Sequence, residues 1–301
     1  MAVQVKCLSD YLRLLNEYRD QFAQTVRSSG FVFRGMSNSA WKLLPGVFRE
    51  YPEEMKSSTV VGGGYSGRIY SDAELEILTH FKKEACGLLP HISQKDDFTW
   101  LQYAQHYGVP TRLLDFSDNP LVAMYFCCQS ESETDGIVWI INHLTFNNWT
   151  QNEFFCHLME PGFTREDLIE SILRDLRGDT FEPDDRPKKQ RPVIFIPAYI
   201  DQRMSAQSSR FMLWGEKQVP LEEMCTSDNE MVLTDGLRID SFNDQRFWAK
   251  LIVPSDCKHR IMKELDLLNI NEKSIFPGLD GIGKYINNYY TNNVDDICEF
   301  L

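Results

Sequence analysis

The stretch LQYAQHYGVPTRLLDFSDNPLVAMYFCC, residues 101–128, contains two apolar runs separated by a dense polar centre. Gly108 and Pro110 are typical of a helix end, so a first helix is predicted to stop before the polar centre. Asn119 followed by Pro120 is typical of a helix start, because asparagine caps free N–H groups and proline suits the first helical position. The stretch therefore predicts a helix, a turn, an extended segment and a second helix.

The polar centre is a candidate site for an anion. Asp115 and Ser117 stand just before the predicted helix start, where free N–H groups and the helix dipole can hold negative charge. The alternative is that these two side chains only cap the helix. An extended segment would place Thr111 and Asp115 on one face and Arg112 on the other. His106, between the helix and the turn, is compatible with a structural or a catalytic role.

A second candidate is the tripeptide Phe33-Arg34-Gly35 at the end of an apolar run. A guanidinium suits a diphosphate because its planar fork makes bidentate, charge-assisted bonds. Gly35 is predicted to let a ligand approach the backbone. The alternative is that Arg34 pairs with an internal carboxylate and fixes the strand.

A third cluster, residues 203–207, lies in the connector 201–209 between two predicted strands. Polar residues in such a loop usually face solvent. If the connector meets Arg34 and Ser117, its residues Arg203 and Gln207 complete a polar cleft.

The order of predicted elements indicates the fold class. Apolar runs predict strands over 31–35, 136–142, 192–200, 210–215 and 247–254. Apolar periodicity and capping residues predict helices that begin near Ser9, Ser71, Asn119 and Asp256, and a further helix over 164–176. Helices cluster early and strands late, which favours an α+β fold with helices packed on a mixed or antiparallel central sheet. We expect an N-terminal helical cap over 1–30 and a single α+β domain over 31–301.

The net charge and the spacing of the cysteines narrow the range of possible functions. The net charge is −13 and the pI about 5.0, and the densest basic cluster, residues 186–191, follows an acidic run. These features disfavour duplex nucleic-acid binding, which depends on a basic face. The 8 cysteines form no CxxC pair, and the sequence shows neither a signal peptide nor a membrane span. We expect reduced thiols, no metal site, no membrane contact and a cytoplasmic location.

Together the three clusters resemble the F-R-G domain family. Its signature stands here as Phe33-Arg34-Gly35, and its motif QHYGxPTRLLDxSxNPxxAxxF matches residues 105–126. An RxxxQxGxF element matches residues 203–211, with Ser209 where the family usually has glycine, and FPxLDG matches residues 276–281. The resemblance covers residues 31–286.

The motif order is also similar to that of ADP-ribosyltransferases, and this resemblance implies a function. It implies NAD as substrate, with ADP-ribosyl transfer to an unknown macromolecular target or NAD glycohydrolysis, as in a toxin or defence effector. Arg34 would hold the diphosphate, Ser117 would shape the nicotinamide–ribose pocket, and Gln207 stands near the position of the expected catalytic glutamate. The residues implied to bind the nucleotide are Arg34, Gly35, His106, Thr111, Arg112, Asp115, Asn119 and Arg203.

The identity of the catalytic carboxylate is left open by the sequence. Cleavage of the glycosidic bond develops positive charge on the ribose, which a carboxylate stabilises. Glu216, Glu222, Glu223 and Asp115 are the candidates. Without such a group the chain would be a non-catalytic nucleotide- or protein-binding module. A nuclease is disfavoured because the motifs carry no cluster of metal-binding carboxylates.

Overall fold

The computed structural model describes residues 3–22, 30–49, 72–89, 97–151, 191–197, 199–215, 217–231 and 246–292. The predicted helix over 164–176 and most of the basic cluster at 186–191 lie outside these residues. The strands are β1 Val3–Gln4, β2 Phe31–Met36, β3 Leu113–Ser117, β4 Gly136–Asn142, β5 Val193–Phe195, β6 Ser209–Leu213 and β7 Trp248–Val253. The helices are α1 Leu8–Phe22, α2 Gly46–Arg49, α3 Asp72–Ala85, α4 Asp97–His106, α5 Pro120–Cys128, α6 His143–Gln151, α7 Gln202–Ala206, α8 Leu221–Met224, α9 Ser255–Leu267, α10 Glu272–Ile275 and α11 Leu279–Asn292.

The strands form one seven-stranded mixed sheet in the order β1-β7-β4-β2-β3-β6-β5. β1 pairs with β7 in parallel, and the other pairings are antiparallel. The predicted α+β class, with helices packed on a mixed central sheet, is therefore confirmed.

Local sequence signals explain where several elements begin and end. Asn119 caps α5 as predicted, since its side chain accepts a hydrogen bond from the N–H of Leu121, and Pro120 is the first helical residue. β5 ends at Phe195, earlier than the predicted run to residue 200, because Pro197 has no N–H to continue the ladder. The connector between β5 and β6 contains the short helix α7, which the sequence had indicated only as a loop.

Both faces of the sheet are covered. On one face the apolar side chains of α1, α5 and α9 share a core with β2, β4 and β7. On the other face α2, α6 and α8 pack with the strands around Trp139 and Trp248. The described part of the predicted helical cap over 1–30 thus belongs to the core of the sheet, through Leu8, Tyr11 and Leu14 of α1.

The helix α5 lies unusually close to β2. A Cβ atom on Gly35 would stand 1.7 Å from the carbonyl oxygen of Ala123 in α5, so only glycine fits there. Gly35 is therefore needed for this contact between helix and strand. Its lack of a side chain serves the packing of helix against strand.

Candidate functional site

The sheet is split at its centre, between β2 and β3. β2 pairs with β4 along its whole length, from Phe31 to Met36, whereas it pairs with β3 only through Phe33 and Ser117. Beyond that pair the two strands are not joined by a ladder, and a cleft of about 430 Å³ opens beside them. The volume is within the range of natural small-molecule sites.

Side chains from all three clusters identified in the sequence line this cleft. Seven of the predicted site residues do so: Arg34, Gly35, His106, Asp115, Ser117, Arg203 and Gln207. The cleft therefore unites the end of β2, the strand β3 and the connector that contains α7. These segments are separated by about 80 to 90 residues of sequence each.

Arg34 spans the split. Its Nη1 donates to the backbone carbonyl of Asp115 at 2.6 Å, which replaces a ladder bond between the separated strands. Its Nε is buried and has no hydrogen-bond partner. Burial lowers the pKa of Arg34 to about 10, with the Asp115 carboxylate opposing this shift and Arg49 adding to it. The guanidinium thus stays charged at neutral pH, and no carboxylate of the described residues is bonded to it directly.

The cleft is positively charged within an acidic protein. Three guanidiniums line it, those of Arg34, Arg49 and Arg203. Among the lining residues that the structure describes, only Asp115 has a carboxylate. An excess of guanidinium over carboxylate in a concave site favours a ligand with phosphate groups.

Asp115 is held in place from α4. Its Oδ2 accepts a hydrogen bond from Nε2 of Gln105 at 2.6 Å. The Oε1 of Gln105 in turn accepts from the hydroxyl of Thr111 at 2.6 Å, and that hydroxyl accepts from the N–H of Leu113. Thr111 is buried and does not line the cleft, so it supports Asp115 from behind.

Ser117 ties β3 to the α7 connector. Its hydroxyl donates to the backbone carbonyl of Gln207 at 2.6 Å and accepts from the N–H of Asn119 at 2.9 Å. The predicted capping role of Ser117 is thus present, together with a long-range bond that the sequence did not indicate. Asn119 is used for the cap of α5 and does not line the cleft.

The α7 end of the cleft carries a histidine–aspartate pair. Nε2 of His106 lies 2.5 Å from Oδ2 of Asp201, while Oδ1 of Asp201 caps α7 by accepting from the N–H of Met204. Burial is the largest influence on His106 and lowers its pKa; Arg203 also lowers the pKa, and Asp201 and Asp115 oppose the shift. The neutral imidazole therefore donates to a carboxylate that also orders α7.

The end of α10 and the residue after it contact the α7 end of the cleft. The guanidinium of Arg203 lies over the ring of Phe276, 4.9 Å from its centroid. Nε2 of Gln207 donates to the carbonyl of Ile275 at 3.2 Å. Ile275 and Phe276, the first residue of the last motif noted in the sequence, thus contact the connector.

Arg112 does not belong to the cleft. It is fully buried, and its Nε and Nη2 donate to the two carboxylate oxygens of Glu74, each at 2.8 Å. Its Nη1 donates to the carbonyl of Trp214. The structure thus assigns Arg112 to a bidentate internal ion pair and corrects the expectation that it contacts a ligand.

Two of the three glutamates considered as catalytic groups lie elsewhere. Both carboxylate oxygens of Glu222 accept from the N–H of Leu43, and neither Glu222 nor Glu223 lines the cleft. Glu216 lies outside the described residues. Asp115 is thus the candidate carboxylate that the structure places in the cleft.

Sequence reasoning missed other lining residues. Trp41 and Arg49 follow β2, and Gln129 follows α5. A signal existed for Trp41, because a tryptophan stands in the otherwise polar stretch SNSAW directly after the Phe33-Arg34-Gly35 tripeptide. Arg49 and Gln129 had no comparable signal.

Comparison with known proteins finds a family match for the part of the chain that contains β2, β3 and α5. Residues 29–136 match the family model of the FRG domain. This part of the chain is similar to the FRG domain. The FRG match covers β2, β3 and α5, whereas Arg203 and Gln207 lie outside it and complete the cleft in three dimensions. Neither the curated proteins nor the solved structures contain a significant match to the chain.

The described ranges lack both a membrane-spanning helix and a metal-binding group. No helix in them combines the length and the apolar character required to cross a bilayer. The same residues contain no group of three or more His, Cys, Asp or Glu side chains arranged to hold a metal ion. Cys127 and Cys128, the last two residues of α5, are buried in the core, as expected for small apolar side chains.

Proposed function

We propose that the chain binds NAD in the cleft between β2 and β3 and cleaves the bond between nicotinamide and ribose. The ADP-ribosyl group passes either to water or to a macromolecular target. The observation that carries the proposal is the position of Arg34, a charged guanidinium that spans a split sheet and faces a cleft with one described carboxylate, Asp115.

Binding follows from the charge of the cleft. The diphosphate of NAD carries two negative charges and presents oxygens that match the planar fork of arginine. Arg34 and Arg203 come from opposite sides of the split, and Arg49 adds a third positive charge. A diphosphate held between them would neutralise the desolvated guanidinium of Arg34.

The chemistry requires stabilisation of a positive ribose. The C1′–N bond breaks, its electron pair leaves with neutral nicotinamide, and a nucleophile bonds to C1′ and releases its proton. Asp115 supplies negative charge beside this carbon, and electrostatic stabilisation of this kind is often the largest catalytic contribution. The Gln105 amide and Thr111 hold the carboxylate in position.

The test is incubation of the purified chain with labelled NAD. Nicotinamide release, or transfer of label to an added protein or nucleic acid, is the expected result for the wild type. Arg34→Ala should lower turnover strongly, whereas Arg13→Ala, on the exposed surface of α1, should not. Transfer of label to a macromolecule would favour a toxin or defence effector over a glycohydrolase.

A second function has its own supporting observation. Gln207 stands where the resemblance to ADP-ribosyltransferases would require a glutamate, and its side-chain amide is already bonded to Ile275. A cleft without sufficient negative charge would bind a nucleotide without turnover. Saturable ADP-ribose binding by calorimetry, with no nicotinamide release from NAD, would establish this second function and reject the first.

A further inference from the structure

Trp41 stands apart from the other tryptophans of the chain. Trp100, Trp139, Trp214 and Trp248 are buried and Trp149 is partly buried, whereas Trp41 is 45% exposed and lines the cleft. An indole exposed to solvent at the edge of a charged cleft lacks the stabilisation that burial of its apolar surface would provide. Such a position is understandable if a flat ligand group covers the ring.

The loop that carries Trp41 is fixed at both ends. On the β2 side, the N–H of Ser39 donates to the carbonyl of Asp135 at 2.7 Å, and the N–H of Trp41 donates to the carbonyl of Asn38 at 3.2 Å. On the α2 side, the N–H of Leu43 donates to the carboxylate of Glu222. The backbone that carries the indole is therefore held in place before a ligand arrives, which reduces the entropic cost of binding.

Polar groups that can bond to the edge of a base line the same cleft as Trp41. Gln129 and Ser130 follow α5 and line the cleft with Trp41. The side chain of Gln129 is exposed and has no hydrogen-bond partner among the described residues. The backbone beneath is anchored by Lys258, whose buried ammonium donates to the carbonyls of Ser37, Ser130 and Glu131.

We propose that this part of the cleft is the subsite for the adenine base of the bound nucleotide. The base stacks on the indole of Trp41, and the amide of Gln129 bonds to its edge, since glutamine matches the N6 donor and N7 acceptor of adenine. The proposal rests on nucleotide binding by the cleft, and it does not require that the bound nucleotide be cleaved.

The test compares ligands with and without the base. ADP and inorganic pyrophosphate are titrated by calorimetry into the wild type, Trp41→Ala and Trp41→Phe. Trp41→Ala should weaken ADP binding by about 5–150-fold, the range measured when a stacking aromatic is removed, and leave pyrophosphate binding unchanged. Trp41→Phe keeps an aromatic face and should retain most of the affinity for ADP.

Gln129→Ala tests whether the side-chain amide of Gln129 bonds to the edge of the adenine base. The wild type should bind ADP more tightly than inosine diphosphate, which presents an oxygen in place of the N6 donor, and Gln129→Ala should lose this preference. Ser132→Ala, on the exposed loop after α5, is the matched control and should keep it.

The outcomes separate this subsite from the proposed activity. ADP binding that depends on Trp41, without release of nicotinamide from NAD, supports the subsite and rejects NAD cleavage. Nicotinamide release that is unaffected by Trp41→Ala, with ADP bound no more tightly than pyrophosphate, rejects the subsite and leaves the activity standing. Equal weakening of ADP and pyrophosphate binding by Trp41→Ala, or failure of the wild type to bind ADP, also overturns the subsite.

Discussion

Arg34 is bonded to the backbone of Asp115 across the gap between β2 and β3, with its Nη1 2.6 Å from the carbonyl oxygen. The two strands share a single paired position at Phe33 and Ser117, so a side chain takes over where the backbone ladder stops. This bond joins the two halves of the sheet and places a positive charge at their boundary. The cleft and its candidate chemistry follow from this arrangement.

Arg34→Met should separate the binding role of Arg34 from a structural one. The guanidinium is desolvated, its Nε lacks a partner, and it has no direct ion pair, so its loss should change the free energy of unfolding by no more than about 1 kcal/mol. ADP-ribose should raise the melting temperature of the wild type and not that of Arg34→Met. Thermal melts with and without ADP-ribose measure both effects. A loss of about 3 kcal/mol without ligand would instead indicate a structural arginine.

Gly35→Ala should disrupt the packing of α5 on the sheet. The added Cβ would meet the carbonyl oxygen of Ala123 at 1.7 Å, so helix and strand must move apart. We expect a loss of about 3 kcal/mol in urea unfolding, at the upper end of the cost of overpacking. Gly283→Ala is the control, because nothing lies within 4 Å of its Cβ and alanine favours the helix α11. Equal stability of the two variants would contradict the close contact.

Glu74→Gln should be strongly destabilising. It removes the charge that compensates the fully buried Arg112, and breaking one partner of a buried ion pair costs about 3–5 kcal/mol. The double variant Glu74→Leu with Arg112→Met should recover much of this loss, because it removes both charges. Glu17→Gln, in an exposed pair with Arg13, should cost only about 0.5 kcal/mol. Chemical denaturation of the four proteins measures these differences.

Ser117→Ala should weaken the link between β3 and the α7 connector. The hydroxyl is buried and bonds both Gln207 and Asn119, so we expect a loss of about 1–3 kcal/mol in the free energy of unfolding. ADP-ribose affinity should fall as well, since Arg203 and Gln207 would be held less firmly. Unchanged stability combined with lost turnover would instead indicate direct participation of the hydroxyl in catalysis.

His106 should make stability depend on pH in a defined direction. Because burial lowers its folded-state pKa below the ordinary value of 6.5, the unfolded chain binds a proton that the folded chain does not in the window between the two values. Its contribution to stability is therefore complete above that window and is lost as the pH falls through it. His106→Gln should reduce the difference in urea stability between about pH 7.5 and about pH 5.5. His259→Gln, exposed on α9, should leave that difference unchanged.

Much of the fold was predictable because its signals are local. The start of α5 at Asn119 and Pro120 and the apolar run of β4 follow from backbone capping and side-chain burial within a few residues. The short helix α7 and the early end of β5 were not predicted. α7 has only five residues, and its cap Asp201 is held by His106, which is distant in the sequence.

The candidate site was only partly predictable because its side chains contact residues that are distant in the sequence. Arg34 and Arg112 look alike in sequence, since each lies beside apolar residues that form a strand. Glu74, 38 residues before Arg112, neutralises that arginine, whereas Arg34, within the described ranges, bonds a backbone carbonyl and no carboxylate. No local pattern reveals which arginine will find a carboxylate in the folded chain.

The sequence by itself determined the motifs of the FRG domain, the elements that carry them and the supply of guanidinium, hydroxyl and amide groups. Only the tertiary structure decided that β2 and β3 separate after one paired position and that Arg203 and Gln207 reach the opening. It also decided that Gly35 packs closely against the helix α5. The physical reason is that caps and apolar periodicity act between near neighbours in the chain. Charge compensation, close packing and the shape of a cleft depend on residues that only folding brings together.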